Sequence, residues 1–349
     1  MKAQVLNRYD DDLTANHWVA TQDVPDPTIR KSTDVIVRIG GAGLCRTDVH
    51  FMHMDLGDRS HLLPMTLGHE NAGWVQEVGS AVTNVAPGDA VICHPVIPCG
   101  LCRSCRDGDD VHCTDRRSTG LDHDGGFAEL LKTHARSVIK LPDGLEPAEV
   151  AGHADGGLTA YHAARKANTM GLLYPGSRAV VIGVGGLGHV GIQVLKAISA
   201  TEVIAIDVVE EALELARECG ADHTVLANDK QVERVLEITE GRGAQAVLDY
   251  VGDGGSTGAG FPMLARAGSY FVVGYGEMIN VSTMDIIRTE RSFIGNFIGR
   301  YNELVELMAL AKQGKAKMHS RMYDLEAGPE AFSDLIEGRI RGRGILVPR

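Results

Sequence analysis

No uninterrupted apolar stretch in this 349-residue chain approaches the roughly twenty residues needed to cross a bilayer, so no membrane-spanning helix is expected. Basic charge is scarce as well: 34 Lys and Arg stand against 46 Asp and Glu, for a net charge of −12. A nucleic-acid binder is expected to carry a basic face. Here the basic runs are short, Arg116-Arg117 and the alternation Arg339, Arg341, Arg343, which argues against nucleic acid as a partner. The first residues, MKAQVLNRYDDD, are charged at once and lack the apolar core of a secretory signal, so a cytoplasmic location is expected. Internal repeats and low-complexity tracts are absent. What is present is ample apolar material, 44% of residues, in a length that suits about two domains.

Cysteine is sparse outside one stretch. Of seven, four crowd into CGLCRSCRDGDDVHC as Cys99, Cys102, Cys105 and Cys113. Thiolates at C-x2-C-x2-C spacing with a fourth shortly after can close a tetrahedron around one zinc ion. A reducing compartment disfavours the alternative of a disulfide knot. Such a loop alone would also fit a nucleic-acid-binding zinc ribbon, which the acidic balance opposes. Cys93 and Cys219 have no evident partner and read as buried thiols.

The chain changes character near residue 157. Before it, short β-branched runs such as DVIVRIGGAG, ENAGWVQEVG and HARSVIKL alternate with Gly, Pro and Asp punctuation, which predicts a mostly β domain. From Gly176 strand and helix patterns alternate: RAVVIG then HVGIQVLKAI, EVIAID then EEALELARECG, HTVL then KQVERVLEITE, AVLDYVG, SYFVVGYG. That rhythm predicts an α/β fold with a doubly wound parallel sheet. The expected boundaries are 1–156, 157–298 and a C-terminal 299–349 that packs back on the first domain.

The turn after the first of these strands reads Gly183-Val184-Gly185-Gly186-Leu187-Gly188, and Asp207 ends the next strand about twenty residues on. Strand, G-x-G-x-x-G, helix and acid form a dinucleotide fingerprint: the glycines admit a pyrophosphate to the helix N-terminus, and the carboxylate takes the adenosine ribose hydroxyls. Asp207 would repel the 2′-phosphate of NADP, and Val208 and Val209 supply no arginine against it, so NAD is the expected cofactor. In the first domain Cys45 lies in GLCRTDVH, and His69 with Glu70 lies in LGHE. Thiolate, imidazole and carboxylate make up the zinc ligand set.

GLCRTDVH, the GHE turn, the four-cysteine stretch, HADGGLTAYHA, GVGGLG with Asp207 and the ending IRGRGILVPR together resemble the zinc-dependent medium-chain dehydrogenase/reductase family, specifically its alcohol dehydrogenases, over essentially the whole chain. The resemblance implies a GroES-like β-rich catalytic domain with a structural zinc lobe at about 95–115, joined to a Rossmann domain, with the active site in the cleft between them. It implies two zinc ions per chain, one held by the four cysteines and one catalytic, held by Cys45, His69 and Asp155 with Glu70 beside it. His153 is a nearby rival ligand, and Asp155 also suits a cap for the helix that begins around Leu158. Many relatives have cysteine where this chain has Asp155, and aspartate there resembles members that act on secondary as well as primary alcohols.

By the same resemblance zinc would act as a Lewis acid while NAD takes hydride from the alcohol. Thr47 would take the alcohol proton and His50 would pass it on, and Arg46 and Arg343 would reach the cofactor pyrophosphate. Substrate-pocket candidates are Phe51, His61, Trp74, His94 and His123, with the segment around Phe297. The expected substrate is a small alcohol, aldehyde or ketone, with polyols or sugars as the alternative and a non-catalytic NAD- and zinc-binding homologue as the outlier. A homo-oligomer, tetramer ahead of dimer, is expected, with the FVVGYG region as interface.

Overall fold

A computed structural model of the chain describes residues 1–9, 19–53 and 58–349; the acidic run Asp10–Asp12 within MKAQVLNRYDDD lies outside them. Two units form. One comprises Met1–Gly156, Arg300–Lys312 and Met318–Arg349, and the other Gly157–Gly299 with Gln313–Lys317. The returning C-terminal stretch is thus split: the short turn 313–317 packs with the second unit, where the Gln193 side chain holds Lys317 through both its backbone N–H (2.8 Å) and its C=O (2.8 Å).

The first unit is built on a sheet in the order Val138–Lys140, Ala90–Cys93, Glu70–Val78, Asp34–Gly43, Arg343–Val347 and Ser320–Asp324, with Leu130–His134 also pairing with Asp34–Gly43. The β-branched runs read from the sequence supply these strands because their inward positions, such as Val35, Val37, Ile39, Val75 and Val91, meet in one buried core. The closing run GILVPR becomes the Arg343–Val347 strand. It lies antiparallel to Asp34–Gly43, with Ile345 opposite Gly43, and parallel to Ser320–Asp324. This pairing carries Arg343 onto the sheet that also carries Glu70.

The second unit is a six-stranded, wholly parallel sheet in the order His223–Leu226, Glu202–Asp207, Arg178–Ile182, Ala244–Asp249, Leu264–Val272, Ser292–Gly295. Strand order reverses beside Arg178–Ile182, the switch point where doubly wound sheets bind ligands. The GroES-like and Rossmann expectations match these two units. The sixth strand, Ser292–Gly295, was not among the strands read from the sequence. Leu264–Val272 also begins before the SYFVV run, with a register irregularity between Ala244 and Ala246 and Ala267 at φ 58°. Among the described residues no helix is long and apolar enough to cross a membrane.

One polar knot fastens the C-terminal part of the first unit. Asp334, 5% exposed, accepts from Tyr323 Oη (2.8 Å) and Arg339 Nε (2.7 Å), and pairs with Arg321 Nη1 (2.9 Å). Burial alone would raise its pKa, but these donors hold it below the usual carboxylate value. A depressed folded-state pKa contributes stability above the unfolded-state value, and that stability is lost as pH falls through the folded-state value. Asp334→Asn should therefore lower stability at neutral pH by about 1–3 kcal/mol, and the gap to the parent chain should close on acidification. Thermal melts of the two across pH 7 to 3 check this.

Candidate active site

Cys45 precedes the helix Arg46–Met52 with extended backbone, φ −122° and ψ 151°. Three residues on, Asp48 turns its carboxylate back to accept the Cys45 N–H (3.0 Å), the reciprocal half of a capping box. Its other oxygen lies 3.2 Å from His69 Nδ1. Asp48 thus orients two of the expected ligands at once, a role that reading single motifs missed. The C-x-x-D spacing at a helix start was the available signal.

His69 leaves the turn at Gly68 and opens the Glu70–Val78 strand. Glu70 is fully buried, and its carboxylate fills the space that a Cβ at Gly43, its cross-strand neighbour, would need. Its Oε1 accepts the Gly156 N–H (2.6 Å) and Arg343 Nη2, and its Oε2 accepts Arg343 Nε (2.8 Å). Arg343 is only 4% exposed. Its guanidinium is engaged by Glu70 through Nε and Nη2. Burial alone would lower the Arg343 pKa, but Glu70, Cys45 and Asp155 face it and hold it above its ordinary value.

Ligand atoms of Cys45, His69, Glu70 and Asp155 lie within 4.8 Å of one another. His69 Nε2 points into this group, buried, with no hydrogen-bond partner and 3.4 Å from Asp155 Oδ2. Burial disfavours the imidazolium, yet Asp48 and Asp155 outweigh it and raise the His69 pKa well above 6.5. An orphaned imidazole nitrogen beside a thiol and two carboxylates is a cation's donor set, and sulfur, nitrogen and oxygen together suit zinc. The Asp48 contact on the other ring nitrogen is the orienting bond that metal-ligating histidines make. Asp155, rather than His153, belongs to this group.

The second donor set is Cys99, Cys102, Cys105 and Cys113, also within 4.8 Å of one another and none in a disulfide. Backbone N–H groups of Leu101 and Cys102 point at Cys99 Sγ (3.4 Å each), and those of Cys99 (3.2 Å) and Asp115 (3.4 Å) point at Cys113 Sγ. Such donors favour thiolate: backbone N–H groups of Cys105 and Thr114 bring Cys102 down to about 6. Cys93, by contrast, is pushed up by burial to about 12 and joins neither group. Cys219 is buried too.

In the second unit Gly183 has φ +85°, and a Cβ on Gly188 would strike the Gly183 carbonyl, so both positions of GVGGLG require glycine. A Cβ on Gly185 would meet open space, leaving its backbone approachable at the start of the Gly188–Ile198 helix. Asp207 accepts from Val184 N–H (2.7 Å) and Val209 N–H (3.0 Å), so the acid at the strand end is tied directly to the glycine turn. These features fit a dinucleotide: a helix N-terminus for phosphate and a carboxylate at the neighbouring strand end. His189, unremarked in the sequence, lies 2.7 Å through Nδ1 from the Gly185 carbonyl oxygen.

Other candidates scatter. Arg46 is exposed, and Thr47 and His50 are half-buried on the Arg46–Met52 helix. Phe51 belongs to the apolar core, where its ring meets Tyr9 at 6.1 Å. Trp74 lies beneath Arg38, 4.3 Å from ring centroid to guanidinium. His94 accepts from Val96 N–H (3.2 Å). His61 is exposed. His123 has both ring nitrogens buried without partners, and burial lowers it to about 4. Phe51 and Trp74, expected in the pocket, thus each have an identified packing partner. Phe297 lies in the second unit.

Residues 31–143 match the family model described as alcohol dehydrogenase GroES-like domain, and residues 186–313 match that described as zinc-binding dehydrogenase. An NAD-dependent alcohol dehydrogenase of Sulfurisphaera tokodaii is 37% identical over 94% of this chain and 96% of its own. A D-arabinose 1-dehydrogenase (NADP(+)) of Saccharolobus solfataricus is 31% identical over 99% and 97%. The crystal structure of the alcohol dehydrogenase from Aeropyrum pernix superposes with a TM-score of 0.92 at 41% identity, covering 100% of both chains.

If both donor sets hold zinc, elemental analysis of the purified protein should give two ions per chain. Cys45→Ser should remove one with little change in thermal stability, and Cys102→Ser should remove the other while markedly lowering the melting temperature.

Proposed function

We propose that this chain, which belongs to the zinc-type medium-chain dehydrogenase/reductase family, oxidises primary and secondary alcohols to aldehydes and ketones with NAD and zinc, and runs the reverse reduction. The observation that carries this reading is the convergence of Cys45, His69, Glu70 and Asp155 around an orphaned imidazole nitrogen. Cys45, His69 and Asp155 would hold the catalytic ion, and Cys99, Cys102, Cys105 and Cys113 the structural one. Zinc, when bound, supplies Lewis acidity toward the substrate oxygen, and NAD supplies the hydride acceptor.

The remaining work falls to the chain's own side chains. Thr47 and His50 are three residues apart on the Arg46–Met52 helix and so share a face. Thr47 Oγ1 would accept the substrate hydroxyl proton as it passes its own toward His50, whose imidazole would hand one on to solvent. Asp48 and Glu70 keep His69 and the Asp155–Gly156 stretch in place. Gly183, Gly185, Gly186, Leu187 and Gly188 would hold the NAD pyrophosphate, Arg46 is a further candidate for its charge, and Asp207 would accept hydrogen bonds from the ribose hydroxyls. The 31% identical D-arabinose dehydrogenase supports a second reading, in which a sugar or polyol is the substrate. The protein is proposed to act in the cytoplasm as a homotetramer. Exposed Met278, Ile279, Met284 and Ile287 precede the edge strand Ser292–Gly295 and suit a contact between copies.

Initial rates of NADH formation with a small secondary alcohol, its primary isomer and a pentose test the reading directly. Chelator-sensitive turnover of the alcohols is expected; turnover of the pentose alone would favour the sugar reading, and none with zinc and NAD bound would overturn both. Asp207→Asn keeps one oxygen for the Val184 N–H and removes the charge. It should narrow the preference for NAD over NADP in kcat/KM by roughly tenfold, which corresponds to about 1.4 kcal/mol.

A further inference from the structure

The turn that presents His69 and Glu70 follows the short strand Met65–Thr66, which pairs antiparallel with Lys2–Leu6, and three of its carbonyls are held by the Gly125–Phe127 segment. Thr66 C=O accepts the Gly125 N–H (2.7 Å), Leu67 C=O the Phe127 N–H (3.0 Å) and Gly68 C=O the Gly126 N–H (2.8 Å), while Thr66 N–H donates to Asp124 Oδ1 (3.0 Å). Gly68 C=O takes a second donor, Nδ2 of Asn71 at 3.1 Å. Contact is backbone against backbone: a Cβ on Gly125 would strike the Gly68 carbonyl, one on Gly126 would strike Asn71 Oδ1, and one on Gly120 would lie 2.7 Å from the Gly68 carbonyl carbon. Gly68 itself has φ +99°, with the Phe127 ring 2.6 Å from where its Cβ would stand.

Asn71 is wholly buried and only half satisfied. Its Nδ2 reaches Gly68, but its Oδ1 has no partner. An unmet buried acceptor costs stability, and an apolar side chain there would not incur it. What the asparagine provides in exchange is a second hold on the carbonyl immediately before His69.

We propose that Asn71, together with the Gly125-Gly126 pair, clamps the Gly68 carbonyl and so fixes the direction of His69 Nε2 and the Glu70 carboxylate, making Asn71 a positioning residue for the catalytic metal site. It acts through His69 and touches neither metal nor substrate. The inference rests on Cys45, His69 and Asp155 holding a metal ion, and it extends that reading to a residue on the opposite side of the turn. Asp48 sets the rotation of the imidazole ring, and the clamp sets where the ring's backbone stands. Both are needed, because a ligand's direction depends on its Cα position as well as on its rotamer.

The test uses the full-length protein with cobalt(II) at the catalytic site. Asn71→Ala removes the donor and opens space beside Gly126; Asn71→Asp keeps the shape and removes the donor. Both should melt cooperatively, alter the visible cobalt spectrum and, in competition with a chelator, bind cobalt roughly 10- to 100-fold more weakly, the range for partners that orient metal ligands. Parent-like spectra and affinities in folded variants would overturn the clamp. Failure of the parent chain to bind cobalt outside the four cysteines would instead overturn the metal reading beneath it. Hydrogen exchange on the unsubstituted protein decides the matter should neither variant fold. Zinc added to the stripped chain should slow exchange of the Gly125–Phe127 amides, and should not do so in Cys45→Ser, since coupling between turn and metal is reciprocal. Equal exchange in the two chains would overturn the proposal.

Discussion

Much of the first unit's functional geometry depends on one buried ion pair. Arg343 and Glu70 are 273 positions apart in sequence, and sheet pairing brings them together. Removing both charges from water is costly, and a pair of this kind adds little net stability compared with apolar residues of the same size. Its effect is on placement. Glu70 accepts the Gly156 N–H with the same carboxylate, so the residue after His69, the residue after Asp155 and the closing strand are held at one point. Removing either partner alone would leave the other charged and buried, which explains why the neighbourhood is built so closely around them, down to the glycine at position 43.

The two donor sets solve different problems. Cys99, Cys102 and Cys113 are served by backbone N–H groups from their own loop, which favours thiolate there, whereas burial and the neighbouring thiols push Cys105 up to about 12. The mixed set relies on side chains from other parts of the chain: the Asp48 carboxylate for His69, and the Arg343 guanidinium for Glu70. A site of local origin is suited to holding structure. A site assembled from Cys45, His69 and Asp155 is tuned by residues that do not ligate, and such tuning is what reaction chemistry requires.

In the second unit the GVGGLG turn and Asp207 were legible because their chemistry is written in short range: glycine where the backbone crowds, an acid where a strand ends. The Val184 N–H to Asp207 bond is the tertiary expression of that spacing. Short-range spacing says nothing where packing assigns the role. Phe51 and Trp74 are large and apolar, and only the fold decides whether such a side chain lines a pocket or fills a core; here one joins the core with Tyr9 and the other stacks under Arg38. The Glu70 partner of Arg343 was not legible, since the two lie 273 positions apart. Asn71 was invisible, since a lone asparagine in a strand has no spacing to betray it.

The sequence by itself determined the fold class, the division near residue 157, the four-cysteine set and the nucleotide turn, because each is encoded by periodicity or by residues within a few positions of one another. Only the tertiary structure decided that Asp48 serves His69, that Arg343 faces Glu70, and that Asp155 rather than His153 joins Cys45 and His69. Those contacts depend on strand register and on the direction in which each side chain leaves the backbone, and these are set by the packing of the whole sheet.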